Sequence, residues 1–76
     1  MKDVLELIIT NLVSNKDEIS IEEVASENVV TYKVRVAKDD MGKIIGKRGK
    51  VAQSIRTVMK SVAGKENKKV NVEFED

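Results

Sequence analysis

The chain has 76 residues, the size of one small domain with a thin hydrophobic core, and we take 1–76 as a single domain. It contains no cysteine and no histidine, which excludes disulfides, thiol or imidazole catalysis and the usual zinc sites. Because the longest apolar run is three residues, at 7–9, neither a signal peptide nor a membrane span is predicted, and we expect a soluble cytoplasmic protein.

The first half of the chain predicts a helix followed by an irregular strand. The spacing of apolar residues predicts a helix over about 2–14, which residues 15–17 interrupt. Ile19 and Ile21 alternate with polar residues, so a strand is expected from about 19. Residues 22–24 disturb this alternation, which predicts a β-bulge or a twisted edge, and 26–28 are turn-like.

Residues 30–36 and 70–75 each predict a strand with one buried face, because apolar and polar side chains alternate in both. If the two strands are neighbours, Lys33 and Arg35 face Glu73 and Glu75 across the sheet. We interpret these charges as structural, each exposed pair contributing roughly 0.2–1 kcal/mol. The inward-facing residues are Val30, Tyr32, Val34, Val36, Val70, Val72 and Phe74.

The segment between these strands predicts two helices joined by a turn. A short helix is expected over 41–45, and apolar spacings of one, three and four residues predict a second over 51–63. Gly64 suits the left-handed C-terminal cap of the second helix. Asp39 and Asp40 precede the first helix, and we expect them to support its N-terminus rather than to act in catalysis or metal binding.

Charge is distributed unevenly along the sequence. The net charge is +1 at pH 7, but residues 1–30 carry two lysines against seven acidic residues, a net −5, so the remainder carries +6. Residues 41–65 contain seven cationic residues and no acidic one. This pattern is typical of a module that binds a polyanion, and a solvated helix with unpaired lysines would produce the same counts.

The turn between the two helices reads Gly46-Lys47-Arg48-Gly49. Glycine lets another chain approach the backbone, the start of a helix favours anions, and two cations add charge, so the turn predicts a phosphate site. A triphosphate-binding loop is excluded, because only three residues separate Gly42 from Gly46 and Arg48 stands where a hydroxyl residue is needed. The dinucleotide fingerprint fails on the same spacing.

The element order α-β-β-α-α-β predicts an α+β two-layer sandwich, with a three-stranded sheet and the helices on one face. With the run IIGKRGK at 44–50, this order resembles the type II KH domain, whose GxxG loop grips single-stranded nucleic acid. Residues 39–49, followed by Val51-Ala52 and Ile55-Arg56, resemble the small bacterial single-KH proteins of the KhpA family over essentially the whole chain. Ala52 departs from the bulky aliphatic residue often found there, so the groove wall is expected to be shallow.

The resemblance implies that the chain binds single-stranded RNA in a groove floored by the sheet edge and walled by the two helices. Gly46 and Gly49 would let the sugar-phosphate backbone pass, Lys47 and Arg48 would flank phosphates, and N–H groups at 49–51 would donate to them. Four further residues have expected roles. Lys43 and Lys50 would add longer-range attraction, and Ile44 and Val51 would contact bases or pack in the core. Ile45 and Ile55 are expected in the core.

The expected partners are RNA and other KH proteins, with no cofactor, no metal and no membrane. The resemblance implies homodimers or a complex with a larger KhpB-like protein. It also implies RNA chaperone activity or post-transcriptional regulation, with effects on cell elongation and the envelope. Tyr32 and Phe74 are the only aromatic residues and both face inward, so base stacking is nearly absent and weak, sequence-tolerant binding is expected.

Two alternatives stay open on the residues alone. The KH scaffold could serve as a protein-interaction module whose loop binds no nucleic acid, and the residues do not distinguish RNA from single-stranded DNA. An enzyme is not predicted, because the sequence shows no nucleophile beside a base, no ligand cluster and no cofactor loop.

Overall fold

A computed structural model describes the backbone of residues 1–75 and all side chains among them except that of Lys47. The sheet has the order β1-β2-β3, and both helices pack on one of its faces. The expected two-layer α+β sandwich is therefore confirmed. The elements are α1 (Lys2–Leu12), a short 3-10 helix (Lys16–Glu18), β1 (Ser20–Ala25), β2 (Val29–Arg35), α2 (Lys38–Lys65) and β3 (Lys69–Glu75).

Strand β2 forms the centre of the sheet, antiparallel to β1 and parallel to β3. The pairing of β1 with β2 runs without interruption from Ser20 to Ala25, so of the two alternatives expected at 22–24 the β-bulge is wrong. The segment lies instead in an edge strand of the sheet. The β2–β3 register places Lys33 beside Glu73 and Arg35 beside Glu75, as expected. Arg35 and Glu75 form an exposed ion pair at 3.9 Å, a contact that contributes little to stability.

The hydrophobic core lies between the sheet and the two helices. All four expected inward residues of 30–36 are buried, and burial raises the pKa of Tyr32 to about 12. Leu5 and Ile9 of α1 and Ile55 and Met59 of α2 belong to the same core. The period-two patterns at 30–36 and 70–75 thus correctly identified the inner faces of β2 and β3.

Asp40 is the one charged side chain buried among the described residues, and it joins α1 to α2. Its carboxylate accepts hydrogen bonds from the backbone N–H of Ser14 (2.9 Å) and of Asn15 (2.9 Å) and from the Asn15 side-chain amide (3.1 Å). These donors hold the pKa of Asp40 well below its ordinary value. Asp39 and Asp40 both lie in the first turn of α2, where carboxylates favour the N-terminus of a helix, as expected. Neither side chain caps the helix by a hydrogen bond, and the Asp40 carboxylate instead binds the chain that follows α1.

Helix α2 ends in a Schellman motif, and its left-handed residue is Asn67 rather than the expected Gly64. Asn67 has φ of 57°, the Lys68 N–H bonds the Ala63 carbonyl at 3.0 Å, and the Asn67 N–H bonds the Gly64 carbonyl at 3.2 Å. The helix therefore runs past Gly64, because asparagine also tolerates the left-handed conformation.

Candidate nucleic-acid interface

The turn at 46–49 lies within α2 and contains two residues with a left-handed backbone conformation. Arg48 has φ of 63° and Gly49 has φ of 72°, whereas a right-handed helix needs negative values. These two residues divide α2 into a segment at 38–47 and a segment at 50–65, which confirms the expected pair of helices. The interruption is shorter than expected, because residues 46 and 47 still belong to the first segment.

Arg48 adopts an unfavourable conformation for a residue with a side chain. A left-handed residue other than glycine costs roughly 1–2 kcal/mol, and only asparagine and aspartate adopt it with some ease. Backbone strain of this kind concentrates at functional sites, where the surrounding structure maintains it. Arg48 is exposed, so its cationic side chain extends from a strained position at the turn.

Both glycines of the turn face open space. A Cβ atom built on Gly46 or on Gly49 would have no atom of the surrounding structure within 4 Å. Packing within the chain therefore does not require glycine at either position. At Gly49 the positive φ gives a reason for glycine, whereas Gly46 has no such conformation. The chain thus presents a bare stretch of backbone on the surface beside Arg48.

The cationic side chains around the turn differ in whether they have a partner within the protein. Arg48 and Lys50 are exposed, and the guanidinium of Arg48 and the ammonium of Lys50 form no hydrogen bond or ion pair with the described residues, although the Lys50 backbone carbonyl accepts a hydrogen bond from the Ser54 hydroxyl. The Lys43 ammonium donates to the Ser14 hydroxyl at 2.7 Å and pairs with Asp40 at 3.3 Å. The charge of Lys43 is therefore partly balanced within the protein. The side chain of Lys47 lies outside the described part of the structure.

The two isoleucines before the turn lie in different environments. Ile44 is fully buried, so of its two expected roles the structure supports packing in the core and leaves no surface for a base. The expectation that Ile45 lies in the core is wrong, because Ile45 is 49% exposed. Val51 is half-buried against the core, and Ile55 is buried as expected. Ile45 and Val51 are therefore the apolar side chains near the turn that have exposed surface.

A cleft of about 240 Å³ lies between α2 and the outer edge of β3. The sheet edge forms part of it, but it differs from the expected groove because only the second segment of α2 lines it. Inside it, the Arg56 Nε donates to the Val72 carbonyl at 3.0 Å, and the guanidinium carbon lies 5.5 Å from the centre of the Phe74 ring. The sequence offers no signal for this contact, because it depends on how a helix and a strand are placed. The residues lining the cleft, called here the α2–β3 cleft, are Arg56, Lys60, Val70, Asn71, Val72 and Glu73.

The described residues contain neither a metal-binding cluster nor a membrane-spanning helix. No group of three or more His, Cys, Asp or Glu side chains there could hold a metal ion. Within the same part of the chain, no helix has the length and apolar character needed to cross a membrane.

Comparisons with known proteins agree with these features. Residues 2–74 match the profile of a family described as KhpA/KhpB, KH domain. The chain is 49% identical over 74 residues to the RNA-binding protein KhpA of Clostridium acetobutylicum, covering 97% of this chain and 99% of that protein. It is 48% identical over 74 residues to the RNA-binding protein KhpA of Chlamydia caviae, covering 97% and 95%. No solved structure matched the chain.

Proposed function

Because this chain belongs to the KhpA/KhpB family of KH-domain proteins, we propose that it binds single-stranded RNA and grips the sugar-phosphate backbone at the turn 46–49. The observation that carries the proposal is the conformation of Arg48 and Gly49, which interrupts α2 beside a bare, cationic stretch of backbone. The relatives are named RNA-binding proteins, in agreement with the expectation of a binding protein rather than an enzyme.

The turn supplies three contributions to phosphate binding. Left-handed residues interrupt the regular hydrogen bonding of a helix, so the first N–H groups after Gly49 would donate to a phosphate, aided by the positive end of the dipole of the second helical segment. Gly46 and Gly49 let the phosphate come close. Arg48 and Lys50 add charge, and Lys47 is assigned the same role from its place in the sequence.

The apolar wall of the site consists of Ile45 and Val51, which replaces the expected pair of Ile44 and Val51. Both have exposed surface close to the turn. No aromatic platform is available, because Tyr32 is buried and Phe74 packs against the core. We therefore expect contacts to phosphate to dominate the affinity, and contacts of this kind do not read sequence.

Weak binding by one domain favours an assembly of several RNA sites. With two or three phosphates neutralised, the logarithm of the affinity should fall against the logarithm of salt with a slope of about −1.5 to −2. Joining two such sites raises affinity without any new contact. The proposal therefore includes a second copy, or a larger KhpB-like protein, as the partner of this chain. It also includes action as an RNA chaperone or post-transcriptional regulator in the cytoplasm, with effects on cell shape.

The test reverses the charge of the turn. Lys47→Asp combined with Arg48→Asp should abolish binding to an eight-nucleotide single-stranded RNA, while the thermal midpoint stays near that of the wild type, because aspartate tolerates the left-handed conformation of position 48. The matched control is Lys2→Asp with Lys38→Asp. It makes the same change in net charge at the first turns of α1 and α2, where carboxylates are favourable.

The control should retain most of the binding, because its charges lie away from the turn. If the turn variant binds with the affinity and salt slope of the wild type, the turn is not the site. Repeating the titration with DNA of the same sequence decides between RNA and single-stranded DNA. If the folded wild type binds neither, the domain is a protein-interaction module.

A further inference from the structure

The outer edge of β3 faces the α2–β3 cleft, and no other strand of the described residues pairs with it. Along a strand, the N–H and C=O of one residue point to the same edge, and successive residues alternate between the two edges. The Lys69 N–H donates to the Asn28 carbonyl at 2.8 Å, so Lys69 faces β2. Val70, Val72 and Phe74 therefore direct their N–H and C=O groups away from β2, toward the cleft.

Arg56 donates a hydrogen bond to the Val72 carbonyl, which is the acceptor in the middle of this edge. Its Nε–H donates to the Val72 carbonyl at 3.0 Å, and its guanidinium lies over the Phe74 ring. Lys60 lines the same cleft one helical turn further along, and no hydrogen bond from it to the strand is present among the described residues. Two cations thus face the cleft, and Arg56 is the one that covers a backbone acceptor.

The α2–β3 cleft lies within reach of a single-stranded RNA that is bound at the turn. Arg56 follows Val51 by five residues, a rise of about 7.5 Å along the helix. A nucleotide next to the gripped phosphates can therefore place its base against the edge of β3. A base read there by hydrogen bonding needs an acceptor for one of its ring or amino N–H groups. The Val72 carbonyl is the acceptor in the middle of that edge.

We propose that Arg56 is a selectivity-determining residue: by covering the Val72 carbonyl, it prevents the cleft from distinguishing bases that offer an N–H from bases that do not. This inference rests on the proposed RNA binding at the turn. It explains why the domain is expected to show little preference between bases. In the wild type, the turn binds the phosphates of the RNA while the Arg56 side chain covers the Val72 carbonyl on the outer edge of β3.

The experiment compares eight-nucleotide RNAs made of uridine or of N3-methyluridine, which differ by the N–H of each base. The wild type should bind both with similar affinity. Arg56→Met keeps a long side chain but removes the donor, so it should bind uridine RNA about three- to tenfold more tightly than the methylated RNA, the effect of one hydrogen bond. Lys60→Met removes the same charge from the same cleft, and it should weaken both RNAs equally.

The ratio of the two affinities separates selectivity from charge, because loss of a cation weakens both complexes. In the wild type, the Arg56 Nε–H signal in NMR spectra should keep its chemical shift when uridine RNA is added. An unchanged ratio in Arg56→Met overturns the inference, as does a wild type that already discriminates and loses discrimination in this variant. If RNA binding survives the double charge reversal at the turn, the proposed function fails first and this inference fails with it.

Discussion

Gly46 has no folding role that the structure reveals, so replacing it should separate stability from RNA binding. Its φ is not in the left-handed region, and a Cβ there meets no atom of the surrounding structure within 4 Å. Alanine is favoured over glycine inside a helix by about 0.5–1 kcal/mol. For a domain of this size, 1 kcal/mol shifts the thermal midpoint by about 4–8 °C. Gly46→Ala should therefore raise the midpoint by about 2–8 °C.

The same substitution should weaken RNA binding. A methyl group at position 46 stands on the bare backbone that a sugar-phosphate chain must approach. Hydrogen bonds to a charged group contribute roughly 1.5–3 kcal/mol, so the loss of one phosphate contact weakens binding about tenfold or more. Glycine at this position would then be a compromise in which the fold gives up stability for access to the ligand.

Gly64→Ala is the matched control. Gly64 also lies inside α2, has no positive φ and faces open space, but it is at the far end of the helix. The Gly64→Ala protein should gain about as much stability as the Gly46→Ala protein and should bind RNA with the affinity of the wild type. Thermal unfolding followed by circular dichroism and an RNA titration by fluorescence anisotropy measure both quantities. Equal RNA affinity for the Gly46→Ala and Gly64→Ala proteins would refute the reasoning.

Two further predictions concern the groups around Asp40. Its lowered pKa means that the contribution of the carboxylate to stability is complete above its ordinary pKa of 3.8 and is lost as pH falls toward the lower folded-state value. Asp40→Asn should therefore lower the thermal midpoint at pH 7 and show a shallower decline in acid than the wild type; parallel pH profiles would contradict this. Because Lys43 is paired with Asp40 while Lys50 is not, Lys50→Met should reduce the salt slope of RNA binding by about 0.7. Lys43→Met should reduce it less, and the reverse order would show that Lys43 leaves Asp40 when RNA binds.

Local patterns predicted most of the fold because a strong regularity identified β2, β3 and the turn. Alternation in 30–36 and 70–75 identified the buried face of both strands and, through it, the pairing of Lys33 with Glu73 and of Arg35 with Glu75. The run of glycine and cations identified the turn, because no regular helix favours two glycines around a cationic pair. The contact between Arg56 and Val72 had no such signal, since it depends on the distance between a helix and a strand far apart in sequence.

The error at Ile45 has the same origin as the failure to predict that Asp40 is buried. If only apolar side chains are allowed inward, both isoleucines fit the inner face of a helix beginning near residue 41. The helix in fact begins at Lys38, and Asp40 points inward, which turns the centre of the buried face toward Ile44, one helical turn later, and leaves Ile45 at its margin. A carboxylate is rarely buried unless it is hydrogen-bonded, and the donors here belong to the backbone at Ser14 and Asn15. Backbone donors from a distant segment cannot be predicted from the residues around Asp40. Asp40 therefore decides which isoleucine lies exposed beside the turn.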